Sequence, residues 1–228
     1  MEKTFLLILM FSSLFAFAQS TDIQVGDIVC VNGADTTFVH PEDYHSGAIG
    51  VVFYVNGKHG WIIDLYDSSD NVNGDTFCFS EEQEDVEGVI NYGHPRHKPG
   101  WPGDDIGCIY DFKGYSNTQA LRSQGNSTTY PAAWAVDLEH DWYLPAIGQL
   151  NILSSQMPYV IPSIETAGGN APNTSRYHWY WSSSEFVDPS GNACCAWALY
   201  GTGYLCALQR YYKSDSGHQM HVRAIRNF

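Results

Sequence analysis

The chain has 228 residues, of which 44% are hydrophobic and 16% are charged, and its formal net charge is −14. This apolar content is too high for a disordered chain, and the length is enough for a domain with a substantial core. The strong acidity argues against binding to a polyanion, so nucleic acid is not an expected partner.

The first 18 residues have the features of a secretory signal peptide. Lys3 precedes an apolar run from Phe5 to Phe17, and Ala16-Phe17-Ala18 fits a cleavage site. The run of about 13 residues is shorter than the roughly 20 that span a bilayer. We therefore expect residues 1–18 to be a signal peptide and residues 19–228 to form a single domain. That domain would have no transmembrane segment and would be secreted or displayed at the cell surface.

The first quarter of the mature chain predicts two β-hairpins. Residues 23–31 alternate in polarity and lead through an Asn-Gly turn signal to a return strand at 36–39. Residues 49–55 and 61–65 are rich in β-branched and aromatic residues and flank a second Asn-Gly pair. The second pair of strands is almost continuously apolar, which indicates that both of its faces are covered.

The acidic segment 80–88 has two interpretations. Ser80-Glu81-Glu82-Gln83 fits a capping box, and Gly88 stands where a short helix would stop. The alternative is a solvated face without a helix, and we prefer it because the segment is a run of charges.

Three helices are predicted in the middle of the chain. Residues 117–125 have an Asn N-cap candidate and a Gly stop, and residues 131–138 form a second candidate. Residues 146–156 place apolar side chains at helical spacing, and Pro158 and Pro162 are expected to end this helix.

From residue 177 onward the chain has a β character. Aromatic and apolar segments alternate with Gly, Ser and Asp, which is typical of short strands joined by turns. Helices together with antiparallel hairpins in one domain predict an α+β fold with small antiparallel sheets and two or three helices.

Several short blocks follow one another in a distinctive order. They are Ile49-Gly-Val-Val-Phe-Tyr-Val55 with His59-Gly60-Trp61, Tyr130-Pro-Ala-Ala133, Trp142-Tyr-Leu-Pro145 with Leu150-Asn151, Tyr180-Trp-Ser-Ser-Ser-Glu185, Ala196-Trp197 and Val222-Arg-Ala-Ile-Arg226. Together these blocks resemble a family of exported bacterial domains with a C-type-lectin-like fold. This family is typified by the C-terminal domain of a Legionella collagen-like adhesin and by the Fibrobacter succinogenes major paralogous domain.

The resemblance implies a fold shared with formylglycine-generating oxidases and with ligand-binding proteins that retroelements diversify. It implies an adhesin-like protein without catalysis, which binds a protein or glycan ligand at the cell surface. In the diversified proteins, the segment that corresponds to residues 186–221 varies between copies, so this segment would carry the binding surface.

The residues themselves are consistent with such a surface. If residues 197–210 form one continuous strand, its odd-numbered residues are mostly apolar or small, whereas its even-numbered residues are chemically mixed. Tyrosine and arginine give large contact area and adaptable hydrogen bonds. The alternative is a strand that is buried on both faces, with its tyrosines in the core. The candidate ligand-binding residues are Phe186, Ala198, Tyr200, Thr202, Tyr204, Cys206, Leu208, Arg210, Tyr211, Tyr212 and His218.

An enzyme or a metal site is less well supported by the sequence. The serines of Ser182-Ser-Ser-Glu185 lack a nucleophile-elbow motif, and we expect a turn in which they bond to backbone groups. Arg223 and Arg226 are expected either to pair with acids such as Glu185 or to be ordinary surface charges. The His94/His97 and His218/His221 pairs do not fit a transition-metal site in a strand or loop. We expect no cofactor, although the oxygen-rich loop at 67–75 leaves a structural calcium ion as an alternative to a solvated turn.

Two further functions remain open. An oxidase related to the formylglycine-generating enzymes would use Cys194 and Cys195, and it requires an accessible, reactive thiol at one of them. Adjacent cysteines disfavour a mutual disulfide, so at least one is expected to be a free thiol or a small buried apolar residue. A structural subunit of the cell surface or of a pilus is the other alternative, and it predicts stable assembly.

Overall fold

The computed structural model describes residues 22–68, 76–96, 106–173, 178–202, 205–214 and 220–228. The predicted signal peptide lies outside these residues. Within them the chain forms, in order, β1 (Ile28–Asn32), β2 (Asp35–Val39), β3 (Ala48–Asn56), β4 (His59–Asp64), α1 (Gly114–Gln124), α2 (Pro131–Trp134), α3 (Ile147–Thr166), β5 (Trp179–Phe186), β6 (Cys195–Thr202), β7 (Leu205–Tyr212) and β8 (Ile225–Asn227). No helix in these stretches is long and apolar enough to cross a bilayer.

The strands form two antiparallel sheets, which confirms the predicted α+β class. The larger sheet has the order β2-β1-β3-β4-β8, and the smaller has the order β5-β6-β7. Both predicted hairpins are present in the larger sheet, as β1–β2 and β3–β4. The last strand of the chain, β8, pairs with β4 and so ties the C-terminus to the first half of the molecule.

The central strand β3 is covered on both faces, as its apolar sequence predicts. Val51 and Phe53 belong to the main core, which α3 also contributes to. Val52 points to the other side, where it packs with Val29 and Ile62 in a smaller cluster. Successive side chains of a strand point to opposite faces, so a continuous apolar run requires cover on both.

The helices before α3 are close to their predicted positions. The first, α1, begins at Gly114 rather than at Asn117, because Asn117 is a buried residue inside the helix and not its cap. The second, α2, is only four residues long. The acidic segment around residues 81–85 is exposed and non-helical, which confirms the preferred solvated interpretation.

The prediction that Pro158 and Pro162 end the last helix is wrong. The helix α3 runs from Ile147 to Thr166 and contains both prolines. They lie one helical turn apart, and both are exposed. The carbonyl groups that lose an N–H donor therefore face water, while the opposite side of α3 buries Met157 and Val160 in the core.

Candidate ligand-binding surface

The predicted site lies on the hairpin of β6 and β7, at the edge of the smaller sheet. Thr202 pairs with Leu205, so only two residues separate the paired ends of the strands. Further along, Trp197 pairs with Arg210 and Tyr200 with Ala207. An even-numbered residue of β6 therefore shares its face with an odd-numbered residue of β7. The expectation of one face made of even-numbered residues throughout is wrong, because it treated the hairpin as one strand.

One face of this hairpin carries an aromatic cluster. The ring of Trp179, from β5, lies 4.0 Å from that of Tyr200 and 4.5 Å from that of Tyr211, measured between centroids. All three side chains are half-buried, and burial raises the pKa of the Tyr211 hydroxyl. Aromatic pairs at such distances stabilise one another beyond the area they bury. This face therefore holds two predicted site tyrosines in a fixed arrangement.

The opposite face carries an open groove of about 450 Å³. Arg210 is exposed and its guanidinium lies 4.5 Å from the centre of the buried Phe186 ring, in a cation–π contact. The floor includes Trp197, which is buried and donates from Nε1 to the carbonyl oxygen of Tyr92 at 3.1 Å. The groove is lined by Gly93, His94, Pro95, Trp197, Leu208, Gln209 and Arg210. We call it the β7 groove.

The eleven predicted site residues are therefore divided. Leu208 and Arg210 line the β7 groove, and Tyr212 lies on the same face with 52% of its surface exposed. Phe186 and Ala198 are buried, at 1% and 0% exposure, so they lie in the core and not at a surface. The side chains of Thr202 and Cys206 are not described, and Tyr204 and His218 lie outside the described residues.

The interpretation of β6 as buried on both faces holds for its first half. Trp197 and Leu199 belong to the main core, whereas Ala196 and Ala198 pack into a second core cluster with Trp181. Among the described side chains of β6 and β7, the exposed ones are Gln209, Arg210 and Tyr212, all on β7, the outer strand of this sheet.

A buried ion pair anchors the end of β7. Lys213 and Glu185 are both fully buried and their side chains are bonded to each other. Lys213 also donates to the carbonyl oxygen of Glu84 at 2.5 Å, and the second oxygen of Glu185 accepts from the backbone of Val86 at 3.0 Å. Burial raises the pKa of Glu185 to about 7, although Lys213 opposes the rise. The pair fixes the outer strand of the sheet to the acidic segment.

The serines of the Ser182–Glu185 motif are structural. They lie inside β5, where a register shift interrupts the ladder, and not in the expected turn. Ser182 donates to the carbonyl oxygen of Trp197 at 2.7 Å, as expected for a serine bonded to backbone. Ser184 donates to the carboxylate of Asp111 at 2.6 Å. Their complete burial leaves no approach for a substrate.

The thiols of Cys194 and Cys195 are both free, which confirms the prediction that at least one would be. Their sulfur atoms are 3.7 Å apart. Burial, reinforced by the neighbouring thiol of Cys194, raises the pKa of Cys195 to about 12. A thiol with so high a pKa is almost entirely protonated at neutral pH, which is the opposite of what a nucleophilic cysteine needs.

Arg223 forms a structural ion pair with an acid, as expected, but the acid is Asp67 and not Glu185. Arg223 is buried and pairs with Asp67, with Nε at 2.5 Å from the carboxylate, and it also donates to the carbonyl oxygens of Asp64 and Asn170. Glu185 pairs with Lys213 instead. Among the described residues, no group of histidine, cysteine and acidic side chains has the arrangement of a metal site. Residues 69–75, which hold most of the alternative calcium loop, lie outside the described part.

Three residues that contribute to these surfaces were not among the residues predicted from the sequence. Trp179 lies in an aromatic stretch that precedes the predicted segment, and this stretch was a usable signal. Gln209 is exposed and lines the β7 groove, but it falls on the predicted packed face when β6 and β7 are counted as one strand. His94 comes to the β7 groove from a distant loop, and no local pattern indicates that contact.

Comparison with known proteins identifies one structural likeness and no sequence family. No protein-family model and no curated protein matches the chain. The fold is similar to that of a crystal structure described as a fimbrial protein from Bacteroides ovatus, with a TM-score of 0.60 and 16% sequence identity. The match covers 90% of this chain and 49% of the fimbrial protein, so the chain spans about half the length of that protein.

Proposed function

We propose that this chain is an exported, non-catalytic subunit of the cell surface that associates with fimbriae or similar assemblies. The observation that carries the proposal is the fold, which is shared over 90% of the chain with half of a fimbrial protein. The raised pKa and burial of Cys195 support a function without thiol chemistry.

The outer edge of the smaller sheet offers a surface through which chains can assemble. The strand β7 is eight residues long and is the outer strand of its sheet. Outer strands can pair with a strand from another chain, and proteins use such pairing for assembly. An assembled subunit of this kind would be held at the cell surface by its neighbours.

The assembly proposal is tested on the mature chain, residues 19–228, by light scattering over a wide concentration range. We expect stable oligomers or association with co-expressed fimbrial subunits from the same genome. Antibody labelling of intact cells, viewed by electron microscopy, should place the protein on surface fibres. A monomer at all concentrations, with no labelling of fibres, would contradict the proposal.

A second candidate function, ligand binding of the adhesin type, is favoured by the β7 groove. This groove offers an exposed arginine that lies over a buried aromatic ring, and arginine is enriched in binding hot spots. The resemblance to C-type-lectin-like binding domains supports the same proposal. The ligand would be a protein or a glycan on another surface.

The binding proposal is tested on protein and glycan arrays with variants of each face. Arg210→Ala/Tyr212→Ala alters the β7 groove, whereas Tyr200→Phe/Tyr211→Phe alters the aromatic cluster on the other face. Tyr159→Ala is the matched control, because Tyr159 is an exposed aromatic residue on α3, with 63% exposure. We expect the first variant to lose binding and the control to keep it. Equal binding by all proteins would exclude both faces of the hairpin.

A further inference from the structure

A second groove, lined by aromatic rings, lies at the tip of the β3–β4 hairpin, on the larger sheet. Tyr54 and Trp61 are cross-strand partners there, and their rings are stacked with centroids 4.4 Å apart and planes at 26°. The ring of Phe112 extends the array, 5.7 Å from Trp61, and 42% of its surface is exposed. The groove has a volume of about 460 Å³. We call it the hairpin groove.

Polar groups lie beside these rings on the same face. Asn56 and His59 are a cross-strand pair at the end of the hairpin, two residues from Tyr54 and Trp61, so their side chains project on the same side of the sheet. Both are exposed. Asn227, from β8, also lines the groove, and its side-chain oxygen accepts a hydrogen bond from the Tyr143 hydroxyl at 2.7 Å. This bond fixes the orientation of an amide whose NH₂ group is a donor.

The close packing behind the hairpin groove requires a glycine. A side chain at Gly60 would overlap the carbonyl oxygen of Tyr54 and the ring of Phe228. The Phe228 ring packs on Phe38 in the cluster on the other face of the sheet, so the rings that face the groove are those of Tyr54, Trp61 and Phe112. Among the described residues, the lining has no acidic side chain, lysine or arginine; it consists of Tyr54, Asn56, His59, Gly60, Trp61, Phe112, Ile152, Asn227 and Phe228.

We propose that the hairpin groove binds an uncharged sugar ring, such as a hexose at the end of a glycan. The face of an aromatic ring is electron-rich and attracts the weakly positive C–H groups on one face of a pyranose. The amides and imidazole at the margin can donate to and accept from the hydroxyl groups at the edge of the sugar. A lining without charged side chains, on a chain of net charge −14, disfavours acidic sugars and offers no side-chain ion pair to a cationic ligand.

The site is separate from the β7 groove and does not rest on the proposed assembly. The two grooves share no lining residue and are built on different sheets. A chain with both sites could bind a glycan through one and a second partner through the other. The His59-Gly60-Trp61 block, which the resemblance to C-type-lectin-like domains singled out, thereby acquires a chemical function.

The test uses saturation-transfer NMR on the mature chain with glucose, galactose, mannose, N-acetylglucosamine and their disaccharides. Phe112→Ala removes one exposed ring, and Asn56→Ala/His59→Ala removes the polar margin without altering the core. Tyr159→Ala again serves as the control. We expect at least one of these sugars to bind, each groove variant to weaken binding about tenfold, and the control to be unchanged.

Three results would overturn the proposal. The first is that none of the sugars binds the unmodified chain. The second is that Phe112→Ala and Asn56→Ala/His59→Ala bind as tightly as the unmodified chain, while Arg210→Ala/Tyr212→Ala does not bind, which would assign the sugar to the β7 groove. The third is that the hairpin-groove variants lose self-association and no sugar binds, which would make this groove a protein contact. Fibre labelling reports on assembly independently of all three.

Discussion

The pair formed by Lys213 and Glu185 is the residue-scale feature on which the outer strand of the smaller sheet depends. Both side chains are fully buried, and each has a further hydrogen bond to the segment 84–86. A buried ion pair adds little stability relative to apolar residues of the same shape, but removing one partner leaves an uncompensated charge. The pair therefore fixes the position of β7 but adds little to the free energy of unfolding.

Substitution of one partner is expected to cost much more than substitution of both. Lys213→Met should lower the free energy of unfolding at pH 8 by about 3–5 kcal/mol, because the buried Glu185 carboxyl then has no cation beside it and must either stay an unpaired charge or take up a proton. The double variant Lys213→Met/Glu185→Leu should recover most of this loss. Urea unfolding followed by circular dichroism measures both values. A double variant no more stable than Lys213→Met would refute this account of the pair.

The same carboxyl group makes stability depend on pH. Burial raises the pKa of Glu185 from 4.5 to about 7, so the folded chain holds this proton more tightly than the unfolded chain does. Its contribution is present below pH 4.5 and is lost as the pH rises towards 7, by up to about 3 kcal/mol. Glu185→Gln does not titrate and should lack this component. Unfolding measured from pH 4.5 to 8 would contradict the assignment if the two proteins showed parallel profiles.

Thiol labelling tests the oxidase alternative at the same scale. Cys195 is buried, and its pKa of about 12 keeps the thiol protonated. Cys195→Ala should therefore leave the initial rate at which a disulfide reagent labels the folded protein unchanged, with Cys194→Ala as the comparison. Loss of a rapidly reacting thiol in Cys195→Ala would show that this cysteine is activated after all.

At the scale of elements, local signals predicted the hairpins but not how far α3 extends. The β3–β4 hairpin follows from two apolar strands around an Asn-Gly pair, all within 17 residues of sequence at 48–64. The effect of Pro158 depends instead on which side of α3 faces water, and this is set by packing against distant strands. The two faces of β6 and β7 likewise depend on the register in which these strands pair, which the alternation of residue types does not reveal.

The exposed prolines of α3 allow a direct test of this explanation. Pro158→Ala restores an N–H donor inside the helix and should raise the free energy of unfolding by about 1–2 kcal/mol. The greater freedom of the unfolded chain offsets part of the gain. Pro162→Ala is the matched comparison one turn later, and urea unfolding measures both. A loss of stability in both variants would mean that the prolines contribute packing that their exposure does not indicate.

At the scale of the whole molecule, sequence predicted the class of fold but not the connections between its parts. Lys213 and Glu185 are separated by 28 positions, and Asp67 and Arg223 by 156, so neither pair follows from a local pattern. The rings of the hairpin groove come from β3, from β4 and from the loop before α1. Alternation and turn signals identify elements, whereas the surfaces form only when those elements pack together.

The uneven distribution of charge along the chain bears on the proposed assembly. Residues 1–176 hold seven basic and 22 acidic residues, a net charge of −15, whereas residues 177–228 have a net charge of +1. Two copies of an acidic chain repel each other at low ionic strength, and salt screens this repulsion over about 10 Å at 0.1 M. If association uses β7 and its weakly charged surroundings, attraction between opposite charges contributes little to it.

Self-association should therefore become stronger as salt concentration rises. Light scattering at about 20 mM and about 300 mM sodium chloride compares ionic strengths below and above the physiological value of about 0.15 M. The mean mass should be larger at the higher salt concentration. Arg210→Glu replaces a positive by a negative charge on the exposed part of β7 and should increase the salt dependence more than Arg210→Gln, which only removes the positive charge. Weaker association at high salt would mean that opposite charges hold the copies together, and the contact would then have to involve the acidic part of the chain.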